Sequence, residues 1–121
     1  MDIDKAIVHL NTNAHLAAGG ECAKYVRRAL AAGGVVIDPH PFSAKAYGPY
    51  LTRAGFSAVA ADKYVPQKGD VVVIQNYKGG DINGHIAMYN GTQWVSDFKQ
   101  RDIWAGPGYR INKPAYQVYR P

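Results

Sequence analysis

The chain has 121 residues, 47% of them apolar and 19% charged, with 14 Lys and Arg against 9 Asp and Glu for a net charge of +5. That length suits a single domain over residues 1–121, because two cores of about 60 residues each would be marginal without disulfides or metals, and the composition is globular, not disordered. One cysteine excludes an internal disulfide scaffold, and no run approaches the roughly 18 apolar residues of a membrane-spanning helix.

The first residues, Met1-Asp2-Ile3-Asp4-Lys5, are acidic and carry no hydrophobic signal segment. The expectation is a soluble chain made in the cytoplasm. From Asp2 to Leu10 the apolar residues Ile3, Ala6, Ile7 and Leu10 repeat at helical spacing, with Asp2 or Asp4 favouring the N-terminus. Asn11 to Gly20 reads as a loop. Cys22 to Ala32 is the clearest helix: Cys22, Tyr25, Val26, Ala29 and Leu30 share a face, and Gly33-Gly34 supplies the stop. Val35 to Pro41 is extended. A third helix is predicted over Ala44 to Ala54, capped by Ser43 and ended by Gly55, with Gly48-Pro49 inside it. After the turn Val65 to Asp70, the β-branched run Val71 to Gln75 reads as a buried strand. Tyr77 to Gly84 is a polar loop, His85 to Tyr89 a strand, Asn90-Gly91 a hairpin turn and Gln93 to Phe98 the return strand. Ala105 to Asn112 reads as a Gly/Pro loop and Tyr116 to Tyr119 as the last strand. Helices first and an antiparallel sheet after them predict an α+β domain.

The positive charge favours an acidic partner. The basic residues are dispersed, and no basic stripe, RNP-like aromatic motif or zinc module is present, so nucleic acid is not expected. A bacterial cell wall is also polyanionic and fits the charge equally well.

Cys22 opens its helix behind Ala18-Gly19-Gly20-Glu21. Unpaired N–H groups at a helix start stabilise a thiolate, and the Cys22 N–H is placed to serve as an oxyanion donor. Cys22 also lies on the apolar face, so a buried core cysteine is the competing reading. A thiol nucleophile needs a base. His9, His15 and His40 fall at a helix end, in a polar loop and between two prolines, whereas His85 begins a strand directly after Gly84. Its orienting partner is expected to be Asp97, with Asp102 as runner-up. A two-residue Asn90-Gly91 turn would pair His85 with Ser96 and send Asp97 to the other face. An odd-length loop or a bulge between Tyr89 and Trp94 would oppose His85 and Asp97, with Cβ atoms about 4.5–5.5 Å apart. The expectation is therefore an odd-length loop or bulge, an Asp97–His85 hydrogen bond and a thiol pKa below its ordinary value.

The segments Gly20-Glu21-Cys22-Ala23-Lys24-Tyr25-Val26-Arg27-Arg28-Ala29-Leu30, Lys68-Gly69-Asp70-Val71-Val72-Val73 and Gly84-His85-Ile86-Ala87-Met88-Tyr89-Asn90-Gly91 together resemble the CHAP and NlpC/P60 amidases, papain-like peptidases acting on peptidoglycan. The resemblance covers residues 13–98. It implies a nucleophile at Cys22 and a base at His85. The third member varies in such proteins among His, Asn, Asp and Glu, and Asp97 fills it here, as in some type VI secreted amidase effectors. No papain-style glutamine precedes the cysteine, so a side-chain oxyanion donor is unassigned.

The resulting expectation is a monomeric cysteine amidase that cuts an amide bond of peptidoglycan stem peptides, with catalytic Cys22, His85 and Asp97 and neither cofactor nor metal. Peptidoglycan is its substrate, in the periplasm of a target cell or outside the producer. A secretion apparatus and a cognate immunity protein are its implied partners, without membrane insertion. A phage-type endolysin, a catalytically inactive wall-binding module and a thiol acyltransferase are the alternatives.

Overall fold

In a computed structural model, which describes residues 1–121, the two N-terminal helices form where the apolar spacing demands them. Helix α1 spans Ile3–Asn13, and the Asp2 carboxylate caps it by accepting from the Lys5 N–H at 3.0 Å. It runs one turn past the predicted end at Leu10. Helix α2 spans Cys22–Ala32, as the sequence pattern requires, and buries Val26, Ala29 and Leu30. A Cβ at Gly33 would meet the Asp2 carbonyl oxygen at 2.6 Å, so this glycine lets the end of α2 approach the start of α1.

The predicted third helix is broken. Ala44–Ala46 is a single 3-10 turn, and α3 covers Gly48–Arg53 with Pro49 in its first turn. Proline lacks the N–H that a helix interior needs but is suited to a helix start. Ser43 occupies the N-cap position but makes no capping bond; its hydroxyl donates to the Asn83 side-chain oxygen at 2.8 Å. Two elements escape the sequence reading. Strand β1 is Ser57–Val59, three residues long and mostly exposed. Helix α4, Pro107–Asn112, lies where a Gly/Pro loop was predicted, and Pro107 stands at its start.

The remaining strands are β2 (Val71–Ile74), β3 (His85–Tyr89), β4 (Trp94–Val95) and β5 (Tyr116–Arg120). They form an antiparallel sheet in the order β1-β5-β2-β3-β4. Val71, Val73, Ile86, Met88 and Val95 face one core with Leu10, Val26, Leu30, Tyr47 and Leu51. Val72, Ile74, Ala87, Trp94 and Val118 face a second core with Tyr109. Burial on both faces explains the unbroken apolar run of β2. The Lys68-Gly69-Asp70 segment before it is structural. Asp70, fully buried, accepts from Arg120 Nε at 2.8 Å and Nη2 at 2.9 Å, from the Tyr64 hydroxyl at 2.6 Å and from the Gln67 N–H at 3.0 Å.

The β3–β4 hairpin corrects the expected register. Tyr89 pairs with Trp94 and Met88 with Val95, so the loop is Asn90–Gln93, of even length. Continued, that register would oppose His85 to Phe98 and turn Asp97 away. The chain instead reverses after Val95. The Ser96 N–H donates to the Phe98 carbonyl at 3.0 Å, and the Gln100 N–H to the Trp94 carbonyl at 2.9 Å. Phe98 also bridges to His15 in the loop after α1. No helix is long and apolar enough to cross a membrane.

Candidate active site

Cys22, His85 and Asp97 line one cleft of about 480 Å³, bordered also by Lys24, Arg27, Phe42, Tyr47, Asp81 and Tyr109. Cys22 is brought there as the first residue of α2, and His85 as the first residue of β3. Gly84 holds φ at +67°, and a Cβ on it would collide with the Ile74 carbonyl oxygen. The chain can therefore enter β3 this tightly only through glycine.

The partner of His85 is not Asp97. His85 Nε2 lies 2.7 Å from Gln100 Oε1, and both residues are buried. The amide nitrogen of Gln100 donates to the carbonyls of Asp102 at 3.1 Å and Ile103 at 3.4 Å. Those two bonds fix which end of the amide faces the imidazole. Oε1 must accept, so Nε2 carries the proton and Nδ1 keeps its lone pair. The reversal after Val95 is what delivers Gln100 to this position. It is closed locally by the Ser96–Phe98 and Gln100–Trp94 backbone bonds and the Val95–Lys99 bridge, and His15 bridges to Phe98 at its tip.

Asp97 does a different job. Its Oδ2 accepts from the N–H groups of Gly19 at 2.8 Å and Glu21 at 3.1 Å, and the Ser96 hydroxyl donates to its Oδ1 at 3.2 Å. It thereby ties down the loop that presents Cys22. A carboxylate here also suits the positive end of the α2 dipole. The runner-up, Asp102, is engaged away from His85: it accepts from Arg110 Nε at 2.9 Å and from the Trp104 N–H at 2.9 Å. Among the other histidines only His40 borders the cleft; His15 is bonded to the Tyr25 hydroxyl at 2.8 Å.

The electrostatics run against the expected ion pair. Burial pushes the Cys22 thiol up to about 11, Asp97 and Asp81 push in the same direction, and N–H donors from Ile86 and Ala23 only partly offset them. Burial likewise lowers the His85 imidazole, against the opposing effects of the Gln100 bond and of Asp97 and Asp81. Both shifts favour the uncharged forms of the two groups that share the cleft. The Ile86 donor exists because β4 is so short. In β3 the N–H groups of Ile86 and Met88 face the β4 side, and β4 ends before it reaches Ile86.

This charge state has a measurable result. Alkylation of Cys22 by iodoacetamide at pH 6 is expected to be slow, and its rate should climb with pH past 9, as for a thiol whose pKa is raised. A rate that is fast and flat from pH 6 to 8 would restore the thiolate–imidazolium pair.

No protein-family model matches the chain, and no curated protein matches it. Solved structures do, among them two forms of one complex. The native type VI effector–immunity complex Tae3–Tai3 from Ralstonia pickettii contains a chain 42% identical to this one, superposing with a TM-score of 0.91 over 99% of this chain and 98% of that one. The selenomethionine form of that complex gives 43% identity and a TM-score of 0.88 over 96% and 99% of the two chains. A cysteine at a helix start, packed on an antiparallel sheet whose strand opens with histidine, is a papain-like α+β arrangement. With identity and coverage of this extent, the chain belongs to the Tae3 family of type VI effectors.

Proposed function

We propose that the chain is a cysteine amidase that hydrolyses an amide bond in the stem peptides of bacterial peptidoglycan, and that a type VI apparatus delivers it to the periplasm of a target cell. One observation carries the reading: Cys22 shares a cleft with His85, and Gln100 holds that imidazole in the tautomer a general base needs. The motif resemblance to the CHAP and NlpC/P60 amidases supplies the substrate class, and kinship with an effector solved in complex with its immunity protein supports delivery. A cognate immunity protein is the corresponding partner here.

The chemistry starts from the neutral pair. As the Cys22 sulfur attacks the scissile carbonyl, its proton passes to His85 Nδ1. The imidazolium keeps its Nε2–H on Gln100. The carbonyl oxygen becomes an oxyanion facing the Cys22 N–H, which has no carbonyl partner at the helix start; such a donor contributes about 3 kcal/mol. Collapse breaks the C–N bond, and Nδ1 returns its proton to the leaving amine. Water then attacks the thioester with His85 as base, releasing a carboxylic acid and the free thiol. Asp97 is a positioning residue that acts through the Gly19–Glu21 loop.

Digestion of purified sacculi tests the reading. Mass spectrometry should find fragments carrying one added water at a single amide. The candidate bonds are γ-D-glutamyl–diaminopimelate, diaminopimelate–D-Ala and muramyl–L-Ala. Sacculi that bind the protein but release nothing would make it a binding module, and a new amide formed with an added amine would make it a transferase.

A further inference from the structure

We propose that Arg27 is the anchor for a carboxylate of the substrate, a role that rests on the amidase reading above. Arg27 lines the same cleft as Cys22 and His85. Its Nη1 donates to the Tyr47 hydroxyl at 3.1 Å. Tyr47 is 1% exposed and packs in the core, so that hydroxyl is a fixed point. The guanidinium is thus held at the cleft wall with one of its five donors used.

No carboxylate of the protein reaches it. The ion pairs are Lys24–Glu21, Lys68–Asp4, Arg110–Asp102 and Arg120–Asp70. Within the cleft, Glu21 is taken by Lys24 at 3.7 Å, Asp97 by the N–H groups of Gly19 and Glu21, and one oxygen of Asp81 by the Asn83 N–H at 2.9 Å. A half-buried cation whose only partner is a neutral hydroxyl is costly for the free protein. It becomes favourable when a carboxylate arrives, because the planar fork matches that group with two parallel bonds. Lys24, by contrast, is already paired.

The position also fits. Arg27 lies five residues after Cys22, about 7.5 Å along the helix axis and about 140° around it, and its long side chain brings the guanidinium back to the cleft that Cys22 lines. Two extended residues span roughly 7 Å. A carboxylate within about two residues of the scissile carbonyl can therefore reach Arg27 while that carbonyl meets the sulfur. Stem peptides carry free carboxylates at such intervals.

The test uses synthetic muropeptides: one with every carboxylate free, and a set in which each is converted singly to the amide. Arg27→Gln should raise KM about 10- to 100-fold on the free acid with kcat nearly unchanged, the size expected for a charged bond lost. On one amide analogue the parent should show that same raised KM, and Arg27→Gln should add nothing further. Arg27→Lys should recover part of the loss on the free acid. Tyr47→Phe, which keeps the ring and frees the guanidinium, should move KM in the same direction, and it replaces Arg27→Gln if that variant fails to fold. An unchanged KM in the folded variants, or an equal loss on every amide analogue, overturns the anchor. A parent that cleaves none of the peptides overturns the amidase reading itself, and the anchor with it.

Discussion

Cys22→Ser is expected to keep its fold and lose about 10⁴-fold or more in kcat/KM on sacculi, because no other nucleophile stands beside the imidazole. Lysis persisting in purified Cys22→Ser would end the cysteine mechanism. The residues behind the pair should separate into two kinds. Gln100→Ala leaves the Nε2–H of His85 buried without an acceptor and frees the ring to turn, so kcat should fall by about 10²-fold. Asp97→Asn keeps an oxygen for the Gly19 and Glu21 N–H groups while removing a charge that raises the thiol pKa. Activity there should stay within about tenfold of the parent, and alkylation near neutral pH should quicken. The opposite ranking, with Asp97→Asn the more damaging, would return the orienting role to Asp97.

Asp70→Ala should be strongly destabilising. It strips a fully buried carboxylate from Arg120, Tyr64 and the Gln67 N–H together. Breaking such a pair from one side costs about 3 kcal/mol or more, on the order of a 10 °C fall in melting midpoint for a chain of this size. The pH dependence follows from the same contacts. Burial alone would raise the Asp70 carboxyl, but the bonds from Arg120, Tyr64 and Gln67 outweigh it and hold it below its ordinary value. A depressed folded-state pKa stabilises the protein above the unfolded value, near 3.9, and that contribution is lost as pH falls through the folded value. Melting of parent and variant should therefore differ most at neutral pH and converge in acid. A difference that is the same at both ends would mean that the lost volume, not the charge, is responsible.

What could be read in the sequence was local. The bounds of α2 followed from one apolar face and a double glycine, and β2 from a β-branched run. Cys22 and His85 were recognisable because each begins an element directly after a glycine-bearing loop. Helix α4 was misread because Pro107 and Gly108 suggest a loop, although proline at the first helical position is favourable. The 44–54 segment failed for the same reason in reverse, since Gly48-Pro49 begins a helix there and ends a turn. Gln100 was out of reach. The register argument took Gln93 to Phe98 as one straight strand, whereas the chain folds back on itself through the Val95–Lys99 bridge, with Phe98 also joined to the distant His15.

That bend makes residues 96–100 a pleiotropic stretch. One end, Asp97, fastens the loop of the nucleophile; the other, Gln100, sets the tautomer of the base; and the early end of β4 exposes the Ile86 donor to the sulfur. Mutational drift there is judged by both halves of the machinery at once, so neither half can be tuned through it alone. The Asn90–Gln93 loop, a few residues earlier, reaches neither Cys22 nor His85. Its Asn90 braces its own turn and Asn11, and its Gln93 side chain donates to the Gln100 carbonyl at 3.1 Å, so the loop supports the tautomer-setting end of the bend from behind.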